Sequence, residues 1–379
     1  MRIYMDSDYR YIKQLIENYN RFMQKNLGRK LINYEEAIWR SKTLSLGWKI
    51  LDNRDVDYFN ENLMLIKNAV QDKYHEKALE IKFLRDTGET LYCIEFKLHN
   101  LKYFCHNYNK IVSWWVEKYI KNIKSVEKKK INLSYENGLC SLLQYLLLYK
   151  KEFCDEIKEI VPIMQEAIEE NLRCEELDLG MRFGMLGWLN TINLLEEKVP
   201  EIKLKKSAQD IISIYEKEEI LEKDVIEWPA KIRRNRENSY TISDNWCYGT
   251  SQILFNLLNS QHLCKIKKEY YYKKLLYQSF QTVEDFGLIN PDFYAGYAGC
   301  LKIYTQCALI YQTLGFWDLQ NRIMKTLVAT INADNRFTFY KYINRNGHLV
   351  KKIEERELNL IKNYQIYCVL CEVLDSLEV

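Results

Sequence analysis

Residues 243–250 read Ser243-Asp-Asn-Trp-Cys-Tyr-Gly-Thr250, and an apolar run from Ile253 to Leu258 follows almost at once. The stretch sets a lone cysteine, Cys247, between two aromatic residues and a glycine just ahead of a helix. A cysteine in that setting is a zinc ligand, a nucleophile or buried packing. The residues that stand at corresponding places elsewhere in the chain decide among the three.

Working outward, glycine recurs before apolar runs. Gly47 precedes WKIL, Gly138 precedes LCSLLQYLLLY, Gly184 and Gly187 frame MLGWLNTINLL, Gly249 precedes TSQILFNLL, and Gly296 with Gly299 frame YAGCLKIY. Cys93 marks the equivalent place in the glycine-poor TLYCIEFKL. The marks Gly47, Cys93, Gly138 and Gly184 are 45 or 46 residues apart; Gly184 to Gly249 is 65, Gly249 to Gly296 is 47, and a final apolar helix from Tyr364 to Leu374 follows. A near-constant period of this length belongs to a helix-pair repeat.

Each repeat would hold an outer amphipathic helix, a loop and an inner helix apolar on nearly every side, which has to be buried all round. Seven such pairs close into a ring, burying the end faces that an open solenoid must cap. Glycine before each inner helix has a physical reason: neighbouring turns crowd there, and only a residue lacking Cβ fits or takes φ > 0. An irregular helical bundle with glycine caps explains single glycines but not their period. The expectation is an all-α fold, an (α/α) toroid or double helical barrel of about seven helix pairs. It forms a single domain over residues 1–379, with glycine-poor repeats in 1–130 and the clearest ones in 131–379.

The composition agrees. Apolar residues make up 47% and charged residues 28% of 379, with only 13 glycines and 4 prolines, so a large, mostly helical core is affordable. Spacing at Ile12, Leu15, Ile16, Tyr19 and Phe22 predicts an amphipathic helix over 11–22. A charged helix is expected over Ser207 to Lys223, followed by an extended loop around Pro229. Residues Phe337 to Ile343 form a strand or hairpin arm before the turn signal Asn344-Arg-Asn-Gly347. Net charge is +3, which names no partner and does not suggest nucleic acid; Lys128-Lys-Lys130 and Arg233-Arg-Asn-Arg236 read as solvated loops. Eleven scattered cysteines and a charged N-terminus without an apolar signal core point to reduced thiols in the cytoplasm. No apolar window reaches membrane-spanning length, so attachment to a membrane would come only through a partner such as a transporter.

The repeated turns W-C-Y-G at 246–249, D-L-G-M-R-F-G-M-L-G at 178–187 and F-Y-A-G-Y-A-G at 293–299 resemble the lanthionine synthetase C (LanC) family, best from Asp178 to Leu301. The resemblance implies a double ring of helices with zinc at its mouth, held by two cysteines and one histidine. There a peptide cysteine is bound as thiolate and added to a dehydrated residue of the same peptide. Zinc matters because a free thiol, with a pKa of about 8.5, is mostly protonated at neutral pH.

Carried over residue by residue, the site is degenerate. The first zinc cysteine matches Cys247, but the family's Cys-His-Gly turn reads Tyr294-Ala295-Gly296 here. The histidine of the family's H-G-x-x-G turn falls at Phe183, an arginine falls at Ser243, and an aspartate ahead of the third inner helix falls at about Ser134. Cys247 alone cannot hold a catalytic zinc, which needs three protein ligands. No catalytic residues, metal or cofactor are then expected. The five histidines, His75, His99, His106, His262 and His348, lie outside the inner-helix turns and are expected to be exposed or interfacial.

What remains is an aromatic mouth of Phe183, Trp246, Tyr248, Phe293, Tyr294 and Tyr297 around Cys247, suited to a peptide. The expected function is therefore a LanC-like peptide-binding or scaffolding subunit that has lost cyclase activity. Its partners would be a precursor peptide and a lanthipeptide dehydratase or intact LanC paralogue. One alternative is an active cyclase with a rearranged zinc site at Cys247 and Cys300, although Cys300 lies six residues beyond Tyr294, roughly 9 Å along a helix. The other is carboxylate chemistry of glycosidase type at Asp178, Asp244 and Asp292, each of which also suits helix capping. Cys368-Val-Leu-Cys371 has redox spacing but sits in an apolar helix, where core packing is the simpler role.

Overall fold

The computed structural model describes residues 36–39, 41, 56–76, 79–95, 102–222, 225–234, 237–238, 244–288, 290–332, 340–345, 348–353 and 356–377. The helix expected over 11–22, Gly47, His99 and Ser243 fall outside them, as do the side chains of Cys93 and His348.

In chain order the helices are α1 (Val56–His75), α2 (Ile81–Glu95), α3 (Lys102–Ser125), α4 (Leu139–Tyr149), α5 (Cys154–Asn171), α6 (Met185–Lys198), α7 (Lys205–Lys217), α8 (Thr250–Asn259), α9 (Lys265–Gln278), α10 (Tyr297–Tyr311), α11 (Leu314–Asn332) and α12 (Arg356–Leu377). Packing divides the chain into two compact units, one of Lys73–Gln278 and one of Met1–Asp72 with Ser279–Val379.

Within Lys73–Gln278 the helices lie in two layers. The inner helices α2, α4, α6 and α8 pack side by side in that order, the outer helices α3, α5 and α7 do likewise, and each inner helix packs on the outer helix that follows it. The sequence dictates which layer a helix joins. Every residue from Leu139 to Leu147 of α4 is buried, as a helix apolar all round requires. The outer α5 buries only a stripe, Ile157, Ile160, Val161, Met164, Ala167 and Ile168 among others, and keeps its acids outside.

Neighbouring repeats touch at matching positions. The Gln144 amide donates to Asn190 Oδ1 (3.4 Å), 46 residues on, and to Thr191 Oγ1 (2.9 Å); Asn190 donates to Asn256 Oδ1 at 2.7 Å. These amides satisfy one another between inner helices, where an unpaired polar group would be costly. In the second unit α10 packs on α11 and α12, with Cys300, Tyr304 and Cys307 fully buried. Cys368 and Cys371 are likewise buried in α12.

Among the described residues six short strands interrupt the helical pattern: β1 (Glu176–Asp178), β2 (Ile220–Glu222), β3 (Val225–Glu227), β4 (Lys231–Arg233), β5 (Tyr340–Arg345) and β6 (His348–Ile353). They form antiparallel pairs β1–β4, β2–β3 and β5–β6. The charged helix expected to reach Lys223 stops at Lys217, because Ile220 to Glu222 turn back to pair with Val225 to Glu227. The loop expected after it is partly sheet, with Leu177 opposite Ile232. Of the hairpin arm expected at 337–343, the described part, from Tyr340 on, is strand β5, with Arg345 opposite His348; residues 337–339 lie outside the described residues.

Of the two reasons for glycine before an inner helix, crowding and a left-handed backbone, the structure selects crowding. Gly138, Gly184, Gly249 and Gly296 have φ of −107°, −111°, −68° and −138°, so none takes the left-handed conformation. Their requirement is steric: a Cβ would strike the backbone of Asn132 and Ser134, of Asp178, of Asn245, and of Asn290 and Asp292 respectively.

His75 and His106 are exposed, but His262 is not. Its side chain is 10% exposed and its Nε2 lies 2.8 Å from the Glu196 carboxylate, itself 2% exposed. The carboxylate also accepts from the Leu204 N–H at 2.8 Å and from Gln261. An acid so deeply buried has to gather donors, and His262 is one of them.

Candidate functional site

Three consecutive turns of the Lys73–Gln278 unit, each leading into an inner helix, carry most of the expected site residues. Every turn uses the same device. A side-chain oxygen accepts backbone N–H groups inside the turn: Asn132 from Ser134 (2.9 Å), Asp178 from Gly180 (2.8 Å), and Asn245 from Cys247 (2.9 Å) and Tyr248 (3.0 Å). The glycine N–H then bonds back four residues, Gly138 to Ser134, Gly184 to Gly180 and Gly249 to Asn245. Short polar side chains that bond locally suit such turns.

The turns are stitched to one another. Arg85, on α2, donates to the carbonyls of Tyr135 (3.3 Å) and Glu136 (2.9 Å), to Ser141 Oγ (2.8 Å) and to Asp86 (2.8 Å). The Glu136 carboxylate grips the Arg182 guanidinium through two bonds, one of 2.6 Å from Nε. Paired forks of this kind fix orientation as well as charge. The Met181 N–H donates to the Cys247 carbonyl at 2.7 Å, and Tyr248 donates its hydroxyl to Asp178 at 3.0 Å.

Sequence reading missed Arg85, Glu136 and Arg182. Glu136 and Arg182 are 46 residues apart, so comparing charges at the repeat period would have paired them.

Trp246 and Cys247 are each 8% exposed, and the Trp246 ring meets Tyr135 edge-on at 5.8 Å. Ser134, at the family's aspartate position, is buried and donates to Asn137 Oδ1 at 2.7 Å. Phe183, at the family's histidine position, is 45% exposed, and the Arg182 guanidinium lies 4.9 Å from its ring centroid. That is cation–π distance, so the arginine supports an outward-facing ring.

The second unit holds the remaining turn. Asp292 accepts from the Ala295 N–H at 2.8 Å and faces Lys362 Nζ at 3.4 Å. Phe293 and Tyr294 meet edge-on at 5.2 Å, and Tyr297 donates to the Leu288 carbonyl at 2.9 Å. Tyr294 is half-buried and Ala295 exposed.

Burial is the largest influence on Asp178 and Asp244, raising the first and moving the second up to about 6 against the bonds it accepts from Ser251. Burial and the adjacent Asp178 both push the Tyr248 phenol up. All three aspartates have structural duties: Asp178 and Asp292 cap their own turns, and Asp244 caps the start of α8 through the Ser251 N–H at 2.9 Å.

The zinc that the resemblance implies needs two cysteines and a histidine. Of those places only Cys247 carries a ligand; Tyr294 and Ala295 offer no imidazole or thiolate. Among the described residues no three His, Cys, Asp or Glu side chains come together as a metal-holding group. Cys300, the substitute considered above, is fully buried in α10. The residues present do not fit a three-ligand zinc site.

Layered helix pairs, with a sterically required glycine before α4, α6 and α8, define an α/α repeat protein in which the turns before those three helices are built as a connected set. The model of the family described as "Lanthionine synthetase C-like protein" matches residues 43–350. The chain belongs to that family, which places it with proteins of lanthipeptide-related function. Among solved structures it is similar to nisin cyclase, with a TM-score of 0.63 and 16% identity over 97% of this chain and 98% of that one. The fold class is thereby the all-α, α/α toroid. No curated protein matches the sequence. No described helix is long and apolar enough to cross a membrane.

Proposed function

We propose that this chain is a peptide-binding or scaffolding member of a lanthipeptide modification assembly and has lost zinc-dependent cyclase activity. The observation that carries the reading is the turn at 178–184. Where the family holds a histidine, Phe183 projects outward on an Arg182 that Glu136 fixes in place. An aromatic ring with a charged neighbour is a contact for a peptide side chain, not a proton carrier. The same substitution of chemistry by contact surface appears at Tyr294 and Ala295, beside Phe293.

The proposed ligand is a precursor peptide, and the proposed companions are its dehydratase or an intact LanC paralogue. The single domain, cytoplasmic location and absence of a cofactor belong to the same proposal. Fold likeness alone would not choose this function, because helical rings host unrelated ones.

The test is binding of the full chain to fluorescein-labelled Ser/Thr/Cys-rich peptides encoded beside its gene, with affinity capture of the neighbouring modification enzymes in parallel. Binding is expected, and Phe183→Ala should weaken the peptide about tenfold, the scale of one aromatic anchor. Failure to bind any neighbouring peptide or enzyme would overturn the scaffold reading.

A further inference from the structure

We propose that the outward face of α9, together with the adjoining β2–β3 hairpin, is a docking surface for an acidic segment of a partner protein that carries aliphatic residues between its acids. Neither element belongs to the glycine turns, so this goes beyond the function proposed above and stands or falls separately.

The charge is concentrated. Helix α9, KIKKEYYYKKLLYQ, has five lysines and one glutamate, whereas the whole chain is only +3, so the rest of the protein is close to neutral. Other outer helices balance their charge across neighbours: Glu159 with Lys124, Glu166 with Lys128 and Glu169 with Lys206. On α9 the ion pair formed by Lys267 with Glu219, at 3.5 Å, has no counterpart for Lys265, Lys268 or Lys273 among the described residues.

Apolar groups lie among these charges. Tyr271, Leu275 and Gln278 are the buried side of the helix, yet Ile266 is 80% exposed and Tyr277 is 42% exposed. The hairpin adds Leu221 at 56% and Ile220 at 40%. It is held against α9 by Glu219, which accepts from the Tyr271 hydroxyl at 2.7 Å and pairs with Lys267. The Tyr270 ring is flanked by Lys267 and Lys274 at 5.5 and 5.7 Å, within cation–π reach.

Aliphatic side chains at such exposure beside the ammonium groups of Lys265, Lys268 and Lys273, which pair with no described carboxylate, are complementary to a mixed acidic and aliphatic chain. Nucleic acid fits less well. The helix has no arginine, the residue best matched to phosphate, and exposed isoleucine and leucine offer phosphates nothing. A lipid surface also fits less well, because the apolar residues of α9 are divided between its two sides and leave no single wide face to enter the bilayer.

The test uses the full chain and a fluorescein-labelled 20-residue peptide, five repeats of Glu-Glu-Leu-Asp, followed by fluorescence anisotropy. Saturable binding that weakens with added salt is expected. The combined variant Lys265→Glu, Lys268→Glu, Lys273→Glu should weaken it at least about tenfold, and Ile266→Ser alone about threefold, with helical circular dichroism retained. If the charge reversal disturbs the fold, the three lysines changed to glutamine serve in its place, with a smaller loss expected. No binding by the unaltered protein would overturn the proposal, as would equal affinity in all variants. Tighter retention on phosphatidylserine vesicles or a 20-base-pair DNA duplex than on the peptide would also overturn it.

Discussion

Gly184→Ala is expected to destabilise the protein by about 3 kcal/mol, the upper range for forcing an atom into a packed backbone. The added methyl would meet the carbonyl and carboxyl of Asp178. Asp178 cannot give way cheaply, since it accepts from the Gly180 N–H and the Tyr248 hydroxyl and lies in the β1–β4 pair. Gly184 has φ of −111°, which alanine adopts freely, so nothing in the backbone preference adds to the loss. Urea unfolding followed by tryptophan fluorescence reads the midpoint shift. A midpoint within error of the unaltered protein would refute the steric account of the glycine period, and Gly138→Ala and Gly249→Ala would be expected to follow it.

Glu196→Ala should cost a similar amount, about 3 kcal/mol, for a different reason. Burial pushes this carboxyl up, but donors from Gln261, the Leu204 N–H and His262 together outweigh it, so its folded pKa lies below the ordinary glutamate value. Removing the acid leaves those donors without their shared acceptor, and hydrogen bonds to a charged group are the stronger kind. The effect spreads over three segments, because Glu196 ends α6, Leu204 precedes α7, and Gln261 and His262 follow α8.

The pH dependence has a definite sign. A carboxyl with a depressed folded pKa contributes its stability in full above the unfolded value, about 4.3 for glutamate, and loses it as pH falls through the folded one. The unaltered protein should therefore lose stability on the acid side more steeply than Glu196→Gln. Identical acid-side slopes, measured by urea midpoints from pH 6 down to pH 3, would contradict this.

What the sequence made legible was the inner layer. Helices such as α4 announce themselves by apolar residues on every side, and the glycine before each is required by its neighbours' backbone. The same period placed Cys247, Tyr248 and Phe183 in adjoining turns. What stayed hidden depends on partners far along the chain. Three-residue strands such as β1 and β4 are too short to show alternation, and they exist because Leu177 and Ile232 meet across the fold. His262 reads as a surface residue until Glu196, 66 positions earlier, is placed beside it. Arg85 gives no local sign that it will hold the carbonyls of Tyr135 and Glu136. The reason for the glycines stayed open in the sequence because crowding by a neighbour and a left-handed backbone both select glycine, and only coordinates distinguish them.

On the function proposed here, Cys247 has outlived the metal site that its family implies. The decisive reading is zinc content by inductively coupled plasma mass spectrometry, on full-length protein purified without chelator and dialysed against micromolar zinc. Less than about 0.1 zinc per chain is expected, because a single cysteine falls short of the three ligands a catalytic site needs. One tightly held zinc per chain, lost on Cys247→Ala, would contradict it.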